Sequence, residues 1–238
     1  MIEEIRQEID NVDKKILELY NRRINLSRHI VKYKANITDS KREKNMLAGK
    51  NIYEADLLSH IIDVSKRVQA REKLGGKSIA LIGCMGSGKT HVGKELSKFL
   101  FMHLIDTDKE IVKKYGEINK IFEGYGEKKF REYEHEAILG IGKQAIISCG
   151  GGIVVNYETM ERLKQKAIVV YLDRSLSDVN KAISKRQYRP LAKDIDVLYY
   201  ERKPLYKKYA DITIKVKSNP RQIVNEILMK ILKMLDKA

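Results

Sequence analysis

The sequence predicts two folds in one chain: an all-α segment of three helices over residues 1–72, and an α/β domain with a five-stranded parallel sheet over residues 78–238, joined by a linker at 73–77. Three observations predict this. All three prolines (Pro190, Pro204, Pro220) fall in the second territory, whereas residues 1–77 contain no proline and only Gly49, Gly75 and Gly76 as glycines. Apolar residues in the first territory recur at spacings of three and four, the period of an α-helix. The second territory alternates short β-branched runs with helix-patterned stretches, as a parallel sheet covered by helices on both faces requires.

In chain order, Ile5, Ile9, Val12, Ile16, Leu19, Leu26, Ile30 and Tyr33 form one stripe interrupted at Arg23. They predict a single helix from about Ile2 to Asn36, ~50 Å long at 1.5 Å per residue. So short a segment cannot cover a helix of that length, so partner helices are needed. "TDSKRE" (38–43) supplies a second helix start, "AGKN" (48–51) a break, and Tyr53–Arg71 a third helix. "AREKLGGKS" (70–78) reads as the linker, because a glycine pair ends a helix and loosens the chain. "SIALIG" (78–83) is a buried strand followed by a helix over Lys89–Leu100; "HLID", "AIISC", "AIVVYL" and "ITIKV" are the other four strands. Functional groups in such sheets gather at the carboxyl ends of the strands.

Composition narrows the function classes. The formal charge is +15, with 43% hydrophobic and 7% aromatic residues and no Trp. The basic excess is spread over both territories, and no nucleic-acid module is present. Anionic small substrates account for it better than nucleic acid. The start, "MIEEIRQEID", is acidic and lacks an apolar core segment, and no apolar run approaches the ~18 residues of a membrane span. Cys84 and Cys149 form no metal-type pattern. The expectation is a cytoplasmic protein with no membrane or nucleic-acid partner.

Gly83-x-x-x-x-Gly88-Lys89-Thr90 follows a strand and opens a helix, the context of a P-loop. The backbone around Gly86, Ser87 and Gly88 would wrap the phosphates of ATP. Lys89 would reach the terminal phosphates, and the Thr90 hydroxyl would serve Mg²⁺. "DTD" brings Asp106 and Asp108 to the end of the second strand, where a hard cation and an acceptor hydroxyl both want carboxylates. "FREYE" carries Arg131 with Glu134 one turn on, and "CGGG" lets a substrate lie against the backbone at Gly151 and Gly152. Taken singly, Arg131, Arg189 and Arg202 read as surface residues. Two of them converging on one pocket would fork a carboxylate-bearing acceptor.

The combination of GxxGxGKT, DTD, FRxxE, GGG, RPL and "RKPLY" over residues 78–238 resembles shikimate kinase. The resemblance implies ATP-dependent phosphorylation of the shikimate 3-hydroxyl. Asp108, Arg131, Gly151, Gly152 and Arg202 would hold shikimate, and Thr90 and Asp106 would serve the metal. Arg189, on a mobile lid, would reach the transferring phosphate, and Pro220 would line the adenine. Where the family usually has a further lid arginine, this chain has Ala182, leaving Lys181, Lys185 or Arg186 as substitutes.

In the front segment, Arg23 sits in the apolar stripe, where a charge is costly unless an anion pairs with it. Lys34 lies three turns along the same face, whereas Arg6 falls about 100° away and cannot easily serve that pocket from the same chain. Leu58, Ile62, Ser65 and Gln69 share a face of the third helix. On these residues alone, a dimerisation hairpin with snorkelling cations is the simpler reading. "IRQEID", "LELYNRR", "KYK", "DSKRE" and "IIDVSKRVQ" make residues 2–71 resemble the all-α chorismate mutases. That implies an interlaced homodimer rearranging chorismate to prephenate. The site would comprise Arg6 from the other protomer, Arg23, Lys34, Asp39, Arg42, Glu43, Ser65 and Gln69, with Lys34 and Gln69 donating to the ether oxygen. The chain is about ten residues shorter than usual between Glu43 and Ser65. A dimerisation or effector-sensing module without turnover is the alternative.

Overall fold

The computed structural model describes residues 1–33, 37–184, 195–217 and 219–236. It divides into two compact units, Met1–Gly75 and Gly76–Ala238.

The first unit is a set of three helices, α1 (Ile2–His29), α2 (Ser40–Leu47) and α3 (Ile52–Lys73). α1 ends earlier than the stripe predicts. At Ile30–Tyr33 the chain tightens into a 3₁₀ turn, a common way for a helix to satisfy its last carbonyls. α2 starts at Asp39, whose side chain accepts the Arg42 N–H at 3.1 Å. α3 starts with a reciprocal capping box, Asn51 and Glu54 each accepting the other's backbone N–H. α1 packs on α3 through Tyr20, Ile24, Val64 and Val68. That face lies roughly 80° around α1 from the predicted stripe. The stripe itself is not covered by this chain's own helices: its members from Ile5 to Leu26 are exposed, from 48% at Val12 to 65% at Leu19.

The second unit runs β1 (Ser78–Ile82), α4 (Lys89–Leu100), β2 (His103–Asp106), α5 (Thr107–Tyr115), α6 (Ile118–Gly140), β3 (Ala145–Ser148), α7 (Tyr157–Lys166), β4 (Ala167–Asp173), α8 (Leu176–Ser184), α9 (Ile195–Tyr209), β5 (Ile212–Lys215) and α10 (Pro220–Leu235). The five strands form one parallel sheet in the order β2-β3-β1-β4-β5. All five residues of β1 are buried, which is why its sequence is a near-unbroken apolar run: a parallel strand is covered on both faces. Ile79 pairs with Ile146 on one side and Ile168 on the other.

The chain leaves β1 toward β2 on one side and returns to β4 on the other. The strand order therefore reverses at β1, and a crevice opens at the carboxyl ends of β1 and its neighbours. α6 is broken at Gly126 (φ 75°, ψ 175°), a conformation that only glycine adopts readily. α10 begins with Asn219 accepting the Gln222 N–H at 3.0 Å and Pro220 in its first turn. Among the described residues no helix is long and apolar enough to cross a membrane.

Candidate functional site

The loop after β1 delivers the phosphate cradle. Gly86 and Gly88 hold φ of +76° and +94°, so the loop curls without steric cost and releases the chain into α4 at Lys89. Lys89 is buried, and its ammonium donates to the carbonyls of Gly83 (2.7 Å) and Cys84 (2.9 Å). The Thr90 hydroxyl donates to Asp106 at 2.8 Å and lies 3.1 Å from the Ser148 hydroxyl. These hard oxygens fit a divalent cation that keeps most of its shell as water and phosphate. A cavity of about 670 Å³ runs from Lys89, Thr90 and Asp106 to Pro220 and Ile223 on α10.

A second cavity, about 210 Å³, is lined by Asp108, Arg131, Glu134, Gly151, Gly152 and Arg202, with Phe122 and Phe130 as apolar walls. The two cavities share Met85, Asp108 and Gly151, so the predicted donor and acceptor residues adjoin across one carboxylate. Arg131 is clamped by Glu127 at 2.6 Å and by Glu134. Burial lowers the Arg131 pKa, but the hydrogen bonds and attraction of Glu134 and Glu127 together outweigh it, and the guanidinium ends above its ordinary value. Glu134 is 2% exposed, and burial raises its carboxyl pKa against the opposing pull of Arg131.

A Cβ on Gly150 would lie 2.6 Å from both Asp108 and Glu134, and one on Gly152 would overlap the Arg131 guanidinium. The run of glycines is thus what allows the carboxylates and the arginine to close on the backbone. Thr107 holds this loop to the "DTD" turn by accepting the Gly150 N–H at 2.9 Å, and the Tyr206 hydroxyl donates to the Gly151 carbonyl at 2.5 Å.

In the helical unit a cavity of about 210 Å³ brings together Arg23, Asp39, Arg42, Glu43, Ser65 and Gln69, six of the eight residues expected there. Arg23 donates to the Ile61 carbonyl at 3.3 Å and to Ser65. Burial, then the nearby Arg42 charge, push its pKa down, as in a site short of an anion. Arg6 is not among the lining residues and pairs with Glu3 at 2.6 Å on an exposed stretch of α1. Lys34 and Arg189 lie outside the described residues, as do Lys185 and Arg186.

Lys66, Thr107 and Arg174 are among the site residues that the sequence alone did not single out. Lys66 lines the helical cavity and pairs with Glu43 at 2.7 Å. Thr107 sits inside the "DTD" motif, between the two carboxylates, and accepts the Gly150 N–H. Arg174 lines the large cavity and donates to the Gly86 carbonyl at 2.7 Å. Its place just beyond the carboxyl end of β4 was a usable signal, since that is where sites form in such sheets.

Comparison with known proteins agrees with this arrangement. Residues 85–232 match the shikimate kinase family model, and residues 5–70 match that of chorismate mutase type II. A shikimate kinase of a Sulfurihydrogenibium species is 44% identical over 163 residues, covering 65% of this chain and 98% of that protein. One from Enterococcus faecalis is 39% identical over 165 residues, with the same coverage. Among solved structures, the shikimate kinase of Acinetobacter baumannii in complex with shikimate aligns at a TM-score of 0.64 and 33% identity, over 69% of this chain and 97% of that one. That of Aquifex aeolicus aligns at 0.58 and 35%, over 65% and 95%. With a five-stranded P-loop sheet, a phosphate cradle beside an arginine-lined cavity, and a family match over more than half its length, the chain belongs to the shikimate kinase family, and it carries ahead of that domain a helical segment of the chorismate mutase type II kind.

Proposed function

We propose that the chain is bifunctional. Its α/β unit transfers the γ-phosphoryl group of ATP to the 3-hydroxyl of shikimate, and its helical unit rearranges chorismate to prephenate. The observation that carries the first activity is the shared wall of the two cavities, with Asp108 between a P-loop and two arginines. Arg131 and Arg202 fork the acceptor's carboxylate, and Gly151 and Gly152 let its ring lie against the backbone. Asp108 orients the hydroxyl and receives its proton as the new P–O bond forms and the bond to the ADP oxygen breaks. Lys89 leaves the Gly83 and Cys84 carbonyls to bind the terminal phosphates, and Arg189 reaches the transferring group. Mg²⁺ held near Thr90 and Asp106 would neutralise phosphate charge. Shikimate-dependent ADP release by the full chain tests this; release without shikimate, or none with it, refutes it.

The second activity rests on the family match and on the six expected residues lining one cavity. The rearrangement is unimolecular, so the site need only hold the substrate in reactive geometry and stabilise charge at the ether oxygen. Arg23, with Arg6 from a second copy, clamps the two carboxylates. Glu43 takes the hydroxyl, and Lys34 and Gln69 donate to the ether oxygen. One observation favours a rival, a chorismate- or prephenate-sensing unit without turnover: Glu43 is already paired with Lys66. Chorismate consumption by the full chain decides. Turnover supports the mutase, and saturable binding without turnover supports the sensor.

A further inference from the structure

Arg174 stands outside every assigned role and is tied to the phosphate loop. Its Nη1 donates to the Gly86 carbonyl at 2.7 Å, and its Nε is buried with no protein partner. Its own carbonyl accepts the Tyr199 hydroxyl at 3.0 Å. That hydroxyl also accepts from the Lys203 ammonium at 3.0 Å, and the same ammonium lies 4.0 Å from Asp173. The guanidinium therefore projects from main chain pinned by α9.

Gly86 also lies close to α8. A Cβ there would meet Ile183 at 3.3 Å, the Val179 carbonyl at 3.4 Å and Ala182 at 3.5 Å. The loop thus has two cationic tethers, Lys89 on the Gly83 and Cys84 carbonyls and Arg174 on that of Gly86. They are not equivalent. Lys89 has to let go to reach phosphate, whereas Arg174, bonded through a planar fork with donors to spare, keeps its hold. Arg174 also lines the 670 Å³ cavity, where a permanent positive charge attracts a polyanion.

We propose that Arg174 is a positioning residue for the nucleotide, fixing the phosphate loop at Gly86 and adding a permanent cation to the cavity that receives ATP. The proposal rests on the nucleotide-dependent kinase reading and names a residue that sets its donor affinity.

The test is calorimetric affinity of the full chain for ATP and ADP in wild type, Arg174→Met and Arg174→Lys, with shikimate affinity and the unfolding midpoint recorded beside it. Arg174→Met should weaken nucleotide binding at least about tenfold, about 1.4 kcal/mol, with shikimate affinity and the midpoint unmoved. Arg174→Lys, keeping the charge without the fork, should recover part of the loss. Nucleotide affinity within about twofold of wild type in the Met variant overturns the proposal, on a scale where tenfold is the expected loss. So does a joint fall of both affinities and the midpoint, which makes Arg174 a structural brace. If the Met variant does not fold, the Lys variant decides, and unchanged nucleotide affinity there overturns the proposal. A wild type that binds ATP but phosphorylates no shikimate would sink the kinase reading and leave this measurement intact.

Discussion

Arg131 and Arg202 reach one cavity from α6 and α9, and their energetic roles differ. Arg202 is 7% exposed and lines that cavity, so truncating it would leave half of the proposed carboxylate clamp. Arg202→Ala should weaken shikimate binding by ~2–5 kcal/mol while ATP binding changes little; unchanged shikimate affinity by calorimetry would refute the assignment. Arg131 is governed by Glu134, whose carboxyl holds its proton more tightly in the folded chain than the ordinary value of 4.5 implies. Such a group removes stability as pH rises from that ordinary value through the raised one, because the unfolded chain ionises first. Breaking a buried pair ordinarily costs several kcal/mol, but Glu127 still holds Arg131 at 2.6 Å. Glu134→Gln should therefore melt no earlier than wild type at neutral pH, and any gap should close as pH falls through the window. Shikimate affinity should drop, since the guanidinium loses a fixed partner. Melts across that window decide it; a variant that melts well below wild type at neutrality would show that the pair stabilises the fold. At this scale, legibility followed motif membership. Lys89, Thr90 and Asp108 are marked by their neighbours in sequence. Lys66 is marked only by what the fold puts opposite it, Glu43, and Arg174 by its place after β4 and by the Gly86 carbonyl it meets.

At the scale of elements, the strands and α4 stand where the sequence pattern put them; for β1, β3 and β4, burial on both faces leaves an unambiguous apolar run. α1 was harder for a physical reason. It carries two apolar faces, and the periodicity reports the longer one. The short face, Tyr20 and Ile24, meets α3, while the long one, Ile5 to Leu26, stays open along most of a helix ~42 Å long. An amphipathic stripe of that length is expected to be covered by a second copy of the chain. α2 cannot do it, being eight residues long with none buried. Ile9→Glu should convert a dimer to a monomer and abolish chorismate turnover, because Arg6 would lose the site it completes. Sedimentation velocity on wild type and variant checks this. A wild-type chain that is a folded monomer at micromolar concentration overturns the dimer, whatever the variant does.

For the whole molecule, the question is whether the two proposed activities depend on each other. The two units have separate interiors: Tyr20, Ile24, Val64 and Val68 in one, and the sheet with its flanking helices in the other. Each cavity is lined by residues of a single unit, Arg23 to Gln69 for the first and Met85 to Ile223 for the others. Mutational effects at sites with no shared partners add to within a few tenths of a kcal/mol, so a defect in one cavity should not be felt in the other. Lys89→Ala is the sharpest probe. It removes the cation proposed to meet the terminal phosphates and also unties the Gly83 and Cys84 carbonyls, and it lies in the α/β unit. Phosphorylation should fall to background while chorismate turnover and the dimer persist. The reciprocal change, Arg23→Ala, should abolish chorismate turnover and leave shikimate phosphorylation within about twofold, less than the ~0.5 kcal/mol that independent sites allow. Steady-state rates for both reactions, measured on the same preparation of each variant, decide between two enzymes on one chain and a coupled pair: independence fails if either single substitution silences both.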